Sequence, residues 1–122
     1  MLPRFITKSI HAYLDYPVAV GLVVMPFLFG LGQANMLAFW LSVATGIAAF
    51  CLTILTDHHL GVVRILPYKL HLAVDGIVGA VFVVAPLVFG FTGIDFWYYM
   101  ALGLTVLAVV GLHKPEGDTI YA

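Results

Sequence analysis

Four long apolar stretches alternate with short polar segments along the chain. Each stretch has about 20 residues, the length that an α-helix needs to cross about 30 Å of hydrocarbon. The pattern therefore predicts an all-α membrane protein with four transmembrane helices. We place these helices at roughly residues 9–30, 36–56, 68–90 and 95–112.

Residues at the predicted helix ends have suitable capping chemistry. Asn35 and Asp95 are favoured N-cap types for the second and fourth helices. Pro67 suits the first turn of the third helix, where its missing N–H has no intrahelical partner to lose. Gly30 and Gly90 suit the ends of the first and third helices. The short loops between these positions predict two helical hairpins.

The second half of the chain repeats the first at a spacing of sixty residues. Without a gap, the second helices match through Thr45 and Thr105, and Asn35 falls opposite Asp95. Such self-similarity indicates an internal duplication within one membrane domain, 1–122, with repeat 1 at about 4–56 and repeat 2 at about 64–113. The matching positions are Arg4 and Arg64, His11 and His71, Asp15 and Asp75, Val18 and Val78, Pro26 and Pro86, and Phe29-Gly30 with Phe89-Gly90.

Lysine and arginine are confined to the two tails and the middle loop, and the hairpin loops at 31–35 and 91–95 contain none. By the positive-inside rule, the N- and C-termini and the middle loop are therefore predicted to be cytoplasmic. Because each repeat contributes two spans, both enter the membrane in the same direction and form parallel repeats. Aromatic residues predict a belt at each interface. They are Tyr13, Tyr16 and Tyr68 on the cytoplasmic side, and Trp40, Trp97, Tyr98 and Tyr99 on the other.

The composition excludes a water-soluble protein. Hydrophobic residues make up 63% of the chain, charged residues 9%, and the mean hydropathy is +1.11, whereas soluble domains carry about 25% charged residues. The chain has no basic run, so we expect no nucleic-acid partner. The single cysteine, Cys51, provides neither a disulfide framework nor a cysteine zinc motif. No P-loop or nucleophile elbow occurs, which favours a non-enzymatic protein.

Polar residues of the first and third helices lie on one face of each helix, because they follow one another at helical spacing. Carboxylates are costly in hydrocarbon, so both faces should point into the bundle. We therefore expect the first and third helices to meet at a polar cluster near the cytoplasmic side. Its predicted members are His11, Asp15, His71 and Asp75, with Arg4 and Arg64 in the segments that precede the two helices.

Three interpretations of this cluster remain open. In the first, each Asp accepts a hydrogen bond from a His, and the pairs fix the helix register. In the second, His11 and His71 are axial ligands of a b-type haem or part of a metal site. In the third, the Asp and His side chains handle protons or ions in a low-dielectric setting. His58 and His59 in the middle loop are expected to be solvated rather than metal-binding.

Pro26 and Pro86 lie deep in their helices and predict kinks. Each lacks a backbone N–H and so frees the carbonyl four residues earlier, at Leu22 and Phe82. Such kinks are commonly structural, and the alternative is that the pair opens a small cavity on the axis. Hydroxyl side chains of the second and fourth helices are expected to hydrogen-bond to backbone or across helices. They are Ser42, Thr45, Thr53 and Thr105.

The segments that begin at Asp15 (DYPVAVGLVVMPFLFG) and Asp75 (DGIVGAVFVVAPLVFG) resemble the SPW repeat of small bacterial membrane proteins. In that family a helix begins at an Asp, reaches a Ser-Pro-Trp triplet and ends at Phe-Gly. The triplets here are Met25-Pro26-Phe27 and Ala85-Pro86-Leu87, so proline is the shared member. The resemblance covers both hairpins and implies a multi-pass protein of the bacterial cytoplasmic (inner) membrane. It implies no activity.

These features together predict a small non-enzymatic integral membrane protein. We expect it to be a structural or accessory subunit that packs with further copies of itself, as a homo-oligomer, or with a larger membrane complex in the lipid bilayer. The main alternative is an intramembrane site for haem b, a metal ion, a proton or another ion at the polar cluster, and this alternative includes electron transfer.

Overall fold

A computed structural model describes residues 8–56, 61–63 and 65–112, with the side chains of residues 8, 9, 11 and 12 left out. Within these residues the chain forms four helices: α1 (Lys8–Phe29), α2 (Met36–Leu55), α3 (Tyr68–Phe89) and α4 (Gly93–Gly111). The predicted all-α, four-helix architecture is confirmed, and the helix ends agree with the prediction to about two residues.

Three of the four helices have the length and apolar surface of membrane spans. Among the described residues, α2, α3 and α4 are long and apolar enough to cross a membrane, and the apolar part of α1 is the shorter segment Tyr13–Phe29. Large apolar side chains of all four helices are exposed on the outside of the bundle, among them Val20, Phe27, Ile47, Ile77, Leu87 and Leu104. So much exposed apolar surface suits lipid rather than water.

The helix ends confirm part of the predicted capping. Asn35 is the N-cap of α2, and its Oδ1 accepts a hydrogen bond from the backbone N–H of Leu37 (3.0 Å). Gly90 ends α3 in the left-handed conformation, with φ 67° and ψ 37°. Pro67 immediately precedes α3 instead of lying in its first turn. The N-cap prediction for Asp95 is wrong, because α4 begins two residues earlier, after Thr92.

Each hairpin is held together by a glycine of its second helix. A Cβ atom on Gly46 of α2 would lie 2.9 Å from the backbone oxygen of Ala19, and a Cβ on Gly103 of α4 would lie 2.9 Å from that of Gly79. Contacts this short are available only to glycine, so the backbones of α1 and α2, and of α3 and α4, approach closely. The two hairpins use the same packing arrangement.

The two hairpins have loops of different length. Tyr68 follows Lys8 by sixty positions, whereas Gly93 follows Met36 by 57, because the second hairpin loop is three residues shorter. Similar contacts in α2 and α4 occur 57 positions apart, at Gly46 and Gly103. The same spacing relates the pair Phe39–Trp40 to Phe96–Trp97, whose rings make edge contacts at centroid distances of 4.9 and 5.1 Å.

A buried core fills the half of the bundle nearest the two hairpin loops, which we call the packed half. The Tyr99 hydroxyl donates to the carbonyl of Ala38 (2.5 Å), and the Tyr98 hydroxyl lies 2.6 Å from Ser42 Oγ. These bonds join the two hairpins, since they connect α4 with α2. The core consists of Leu22, Leu31, Ala38, Phe82, Ala85, Phe91, Tyr98 and Tyr99.

Burial contradicts part of the predicted aromatic belts. Trp40 and Trp97 are 56% and 67% exposed, so their place in a belt stays a prediction. Tyr98 and Tyr99 are buried in the packed half, so their assignment to a belt is wrong. Tyr68 is also buried, as described below. A tyrosine can enter a core when its hydroxyl finds a partner there, which is the case for Tyr98 and Tyr99.

Hydrogen bonds to backbone complete the packed half. Ser42 Oγ donates to the carbonyl of Leu22 (2.7 Å), the one that Pro26 deprives of its helical partner. Asp95 Oδ1 accepts from the N–H of Gly32 (3.0 Å) and so links α4 to the first hairpin loop.

The predicted backbone hydrogen bonds of Ser42, Thr53 and Thr105 are confirmed. Besides the Ser42 bond described above, Thr53 Oγ1 donates to Ala49 O (2.8 Å) and Thr105 Oγ1 donates to Ala101 O (2.6 Å).

Candidate functional site

Three ionisable side chains meet between the hairpins at the end of the bundle opposite the packed half. His71 Nε2 lies 3.1 Å from Asp15 Oδ2 of α1 and 3.3 Å from Asp75 Oδ2, one turn further along α3. The His71 side chain is 2% exposed, and those of Asp15 and Asp75 are 11% and 19% exposed. We call these three residues the carboxylate–imidazole cluster.

Thr56 approaches the cluster from the segment that joins the hairpins. This segment turns back on the end of α2, with the N–H of Val62 donating to Ile54 O (2.8 Å) and the N–H of Leu66 donating to Leu55 O (2.9 Å). Thr56 and Leu66 form a short parallel bridge. The turn places the fully buried hydroxyl of Thr56 2.7 Å from His71 Nδ1.

The hydrogen bonds of Thr56 determine which nitrogen of His71 carries a proton. Thr56 Oγ1 donates its only proton to the carbonyl of Leu52 (2.6 Å) and can then only accept from His71. His71 Nδ1 is therefore the donor of the 2.7 Å contact. In a neutral imidazole, Nε2 would then carry a lone pair, which would repel the two carboxylate oxygens. A proton or another positive charge must lie on the Nε2 side.

Tyr68 covers one face of the imidazole. Its ring is nearly parallel to that of His71, with centroids 6.1 Å apart and planes inclined by 20°. Because Tyr68 is buried in this position, it cannot take part in a lipid-facing belt. Together with Thr56, it fixes the orientation of His71.

A cavity of about 440 Å³ lies between the hairpins, with the carboxylate–imidazole cluster at its polar end. Its remaining wall is mainly aliphatic, and all four helices contribute to it. The hydroxyls of Thr53 and Thr105 in this wall already donate to backbone carbonyls of their own helices. The lining residues outside the cluster are Leu14, Val18, Leu22, Thr45, Ala48, Ala49, Leu52, Thr53, Val74, Val78, Leu102, Thr105, Val106, Val109 and Val110.

The structure brings together three of the residues in the predicted cluster: Asp15, His71 and Asp75. Arg4, Arg64, His58 and His59 lie outside the described residues, as does the side chain of His11. Pro26 and Pro86 are buried inside α1 and α3, away from the cavity wall, so the cavity does not form at the prolines.

Thr56 is the functional residue that sequence reasoning misses. It follows α2, and its contact with His71 depends on the way the middle segment turns back, which has no local signature. Its only sequence signal is a hydroxyl residue immediately after a long apolar helix. The aliphatic cavity wall is missed as well, because the same residues at helical spacing would also form a closed core.

The geometry of the carboxylate–imidazole cluster suits a positively charged group better than a haem. Asp15, His71 and Asp75 each offer a ligand atom, and these atoms lie within 4.8 Å of one another, so the cluster suits a positively charged group. Both nitrogens of His71 are already engaged, Nδ1 by Thr56 and Nε2 by the carboxylates, and neither faces a haem iron in this arrangement. Comparison with protein-family models, curated proteins and solved structures gives no match.

Proposed function

We propose that the chain is a multi-pass protein of the bacterial cytoplasmic membrane, made of two parallel hairpin repeats with cytoplasmic termini. The distribution of lysine and arginine and the resemblance to the SPW repeat support this assignment. The duplication is further supported by the glycine contacts, which recur at Gly46 and Gly103 against backbone oxygens sixty positions apart. On this topology the carboxylate–imidazole cluster lies in the cytoplasmic half of the membrane.

The function that this geometry supports best is non-enzymatic binding of a small amphiphilic molecule between the hairpins. The observation that carries the proposal is the cavity of about 440 Å³, which all four helices line and which ends at Asp15, His71 and Asp75. Ligand sites in proteins typically measure about 300–1,000 Å³ and combine an apolar wall with a few polar groups. The cavity has both properties.

A binding role fits the molecule better than a pore. In the packed half, the rings of Phe82, Tyr98 and Tyr99 fill the space between the hairpins below the cavity. Among the described residues, the cavity is therefore closed at this end and does not run through the bundle. The accessory role predicted from the sequence stays a prediction, because exposed apolar side chains suit lipid and a partner helix equally well.

A cavity-filling variant tests the proposal. Ala49→Phe puts a ring into the cavity from α2, and Val109→Phe does so from α4, whereas Ile47→Phe adds the same ring on the exposed face of α2. Native protein in lipid nanodiscs should bind at least one of octylammonium, octanol and octanoate saturably in calorimetric titrations, above the background of empty nanodiscs. We expect both cavity-filling variants to lose this binding and Ile47→Phe to retain it. Unchanged binding in both variants would refute the cavity as the site.

A further inference from the structure

We propose that the amphiphile bound in the cavity is a lipid of the surrounding bilayer, one of whose acyl chains enters sideways between the helices. This inference rests on the proposed function, since it names the class of molecule that the cavity binds and the route by which it arrives. Three observations support it: which lining residues are exposed, how deep these residues lie along their helices, and which side chains form the wall.

The cavity opens at the outer surface of the bundle. A side chain that lines the cavity and is also well exposed must lie at the rim of this opening. Leu14 and Val18 of α1 meet both conditions and are 40% and 39% exposed. Ala48 of α2 and Thr105 of α4 are also exposed lining residues, whereas the lining residues of α3 are buried or half-buried. We call Leu14, Val18, Ala48 and Thr105 the cavity mouth.

The mouth begins at the edge of the apolar region and extends into it. Leu14 is the second residue of the apolar part of α1, Tyr13–Phe29, and Val18 lies one turn deeper. Ala48 is seven residues from the end of α2 and Thr105 six residues from the end of α4, about 10 Å of helix in each case. Both of these helices are apolar enough to cross a membrane, so this part of the mouth meets acyl chains rather than water. A lipid whose head lies at the interface can therefore place a chain in the cavity.

The wall of the cavity suits a hydrocarbon chain. Outside the carboxylate–imidazole cluster it consists of alanine, valine and leucine together with three threonines, Thr45, Thr53 and Thr105. The hydroxyls of Thr53 and Thr105 donate to backbone carbonyls of their own helices. Among the described lining residues the His71 imidazole is the only ring, so a flat aromatic ligand would find little to stack on. A flexible chain needs only van der Waals contact with the wall.

The acyl chain needs no hydrogen bond from the cluster. His71 Nε2 lies 3.1 Å from Asp15 Oδ2 and 3.3 Å from Asp75 Oδ2, so these side chains interact with one another. The wall extends along α1 from Asp15 to Leu22, and seven residues of helix span about 10 Å. Recognition of the lipid therefore depends on this apolar length and on access through the mouth.

Photolabelling of the native protein tests this inference. The protein is reconstituted into phosphatidylcholine vesicles that contain a phosphatidylcholine with a diazirine in one acyl chain, and mass spectrometry identifies the residues labelled on irradiation. Leu22 and Thr53 are buried and line the cavity, so only a chain inside the cavity can reach them. We expect both to carry label. Ser42 and Tyr99 are also buried but do not line the cavity, and they should carry none.

Variants of the mouth test the route of entry. Val18→Trp and Ala48→Trp each place a large ring at the rim. Val20→Trp and Ile47→Trp are the matched controls, since they add the same ring at exposed positions of α1 and α2 that do not line the cavity. We expect the rim variants to lose most of the label on the two cavity residues and the controls to keep it. Unchanged label in both rim variants would overturn entry through the mouth.

The outcomes separate this inference from the proposed function. If Leu22 and Thr53 carry no label but octanol or one of its charged analogues still binds saturably, the lipid inference is overturned and the cavity remains a site for a smaller amphiphile. Absence of both label and saturable binding would overturn both. If Leu14 and Val18 escape label while Val20 is labelled, a protein partner covers the mouth and the inference is overturned as well. All of these outcomes are measured on the native protein, so they hold even if a tryptophan variant does not fold.

Discussion

At the scale of single residues, the arrangement of the cluster depends on an uncharged side chain. Thr56 donates to Leu52 O and accepts from His71 Nδ1, so its one hydroxyl proton sets the direction of both bonds. Tyr68 restrains the same imidazole from its face. The charged residues form the polar end of the cavity, whereas Thr56 and Tyr68 act as positioning residues for His71.

Thr56→Val tests this positioning role. Valine has nearly the shape of threonine and no hydroxyl, so it leaves the buried His71 Nδ1–H without its acceptor. We expect the free energy of unfolding in detergent to fall by about 1–3 kcal/mol, the cost of an unsatisfied buried polar group. Thr56→Ser keeps the hydroxyl and should unfold close to the native protein. Equal stability of the valine and serine variants would show that the hydroxyl does not hold His71.

At the scale of helices, the closest approaches in the molecule occur inside each hairpin. Gly46 lies against Ala19 O and Gly103 against Gly79 O, whereas long side chains make the contacts between hairpins. Close backbone contact is a main source of helix association in lipid, where there is no hydrophobic gain from burying one apolar surface against another. Each hairpin is therefore the cohesive unit, and the cavity forms at the looser junction.

Alanine substitutions at the glycines test this difference. Gly46→Ala and Gly103→Ala each place a methyl group 2.7 Å from a valine Cγ2 and 2.9 Å from backbone, which forces the helices apart. We expect each to lower the stability in detergent by about 1–3 kcal/mol, as overpacking does. Gly21→Ala is the control within α1, since its methyl group meets nothing within 4 Å. A Gly46→Ala protein as stable as the Gly21→Ala protein would contradict close packing in the first hairpin.

Sequence alone could predict the helices and the faces that carry charge, but not the pairing of side chains across the bundle. The four-residue spacing of His71 and Asp75 fixes one face because helical geometry is local. The sequence predicts that Tyr98 and Tyr99 belong to a belt, and only their contacts with Ser42 and Ala38 O show that they belong to the core. The sequence predicts Asp95 to be an N-cap from its residue type. Its contact with Gly32 could not be predicted, because it depends on how the two hairpin loops meet.

At the scale of the whole molecule, the bundle has two unlike halves. The packed half joins the hairpins through Phe82, Tyr98 and Tyr99, and the other half holds the cavity and the cluster. Polar groups at membrane depth are tolerated where they face a cavity or one another, and the cluster satisfies this condition. The orientation of the bundle therefore decides which side of the membrane is nearest to the polar end of the cavity.

Cysteine accessibility in cells tests that orientation. In a Cys51→Ser background, single cysteines replace the exposed Gln33 in the first hairpin loop, Thr92 before α4, and Val62 in the middle segment. Because arginine and lysine flank the middle segment and are absent from the hairpin loops, Gln33→Cys and Thr92→Cys should react with a membrane-impermeant maleimide in intact cells. Val62→Cys should react only after the membrane is permeabilised. The reverse pattern would place the cluster in the outer half of the membrane, and labelling of all three in intact cells would show that α2 and α3 do not cross it.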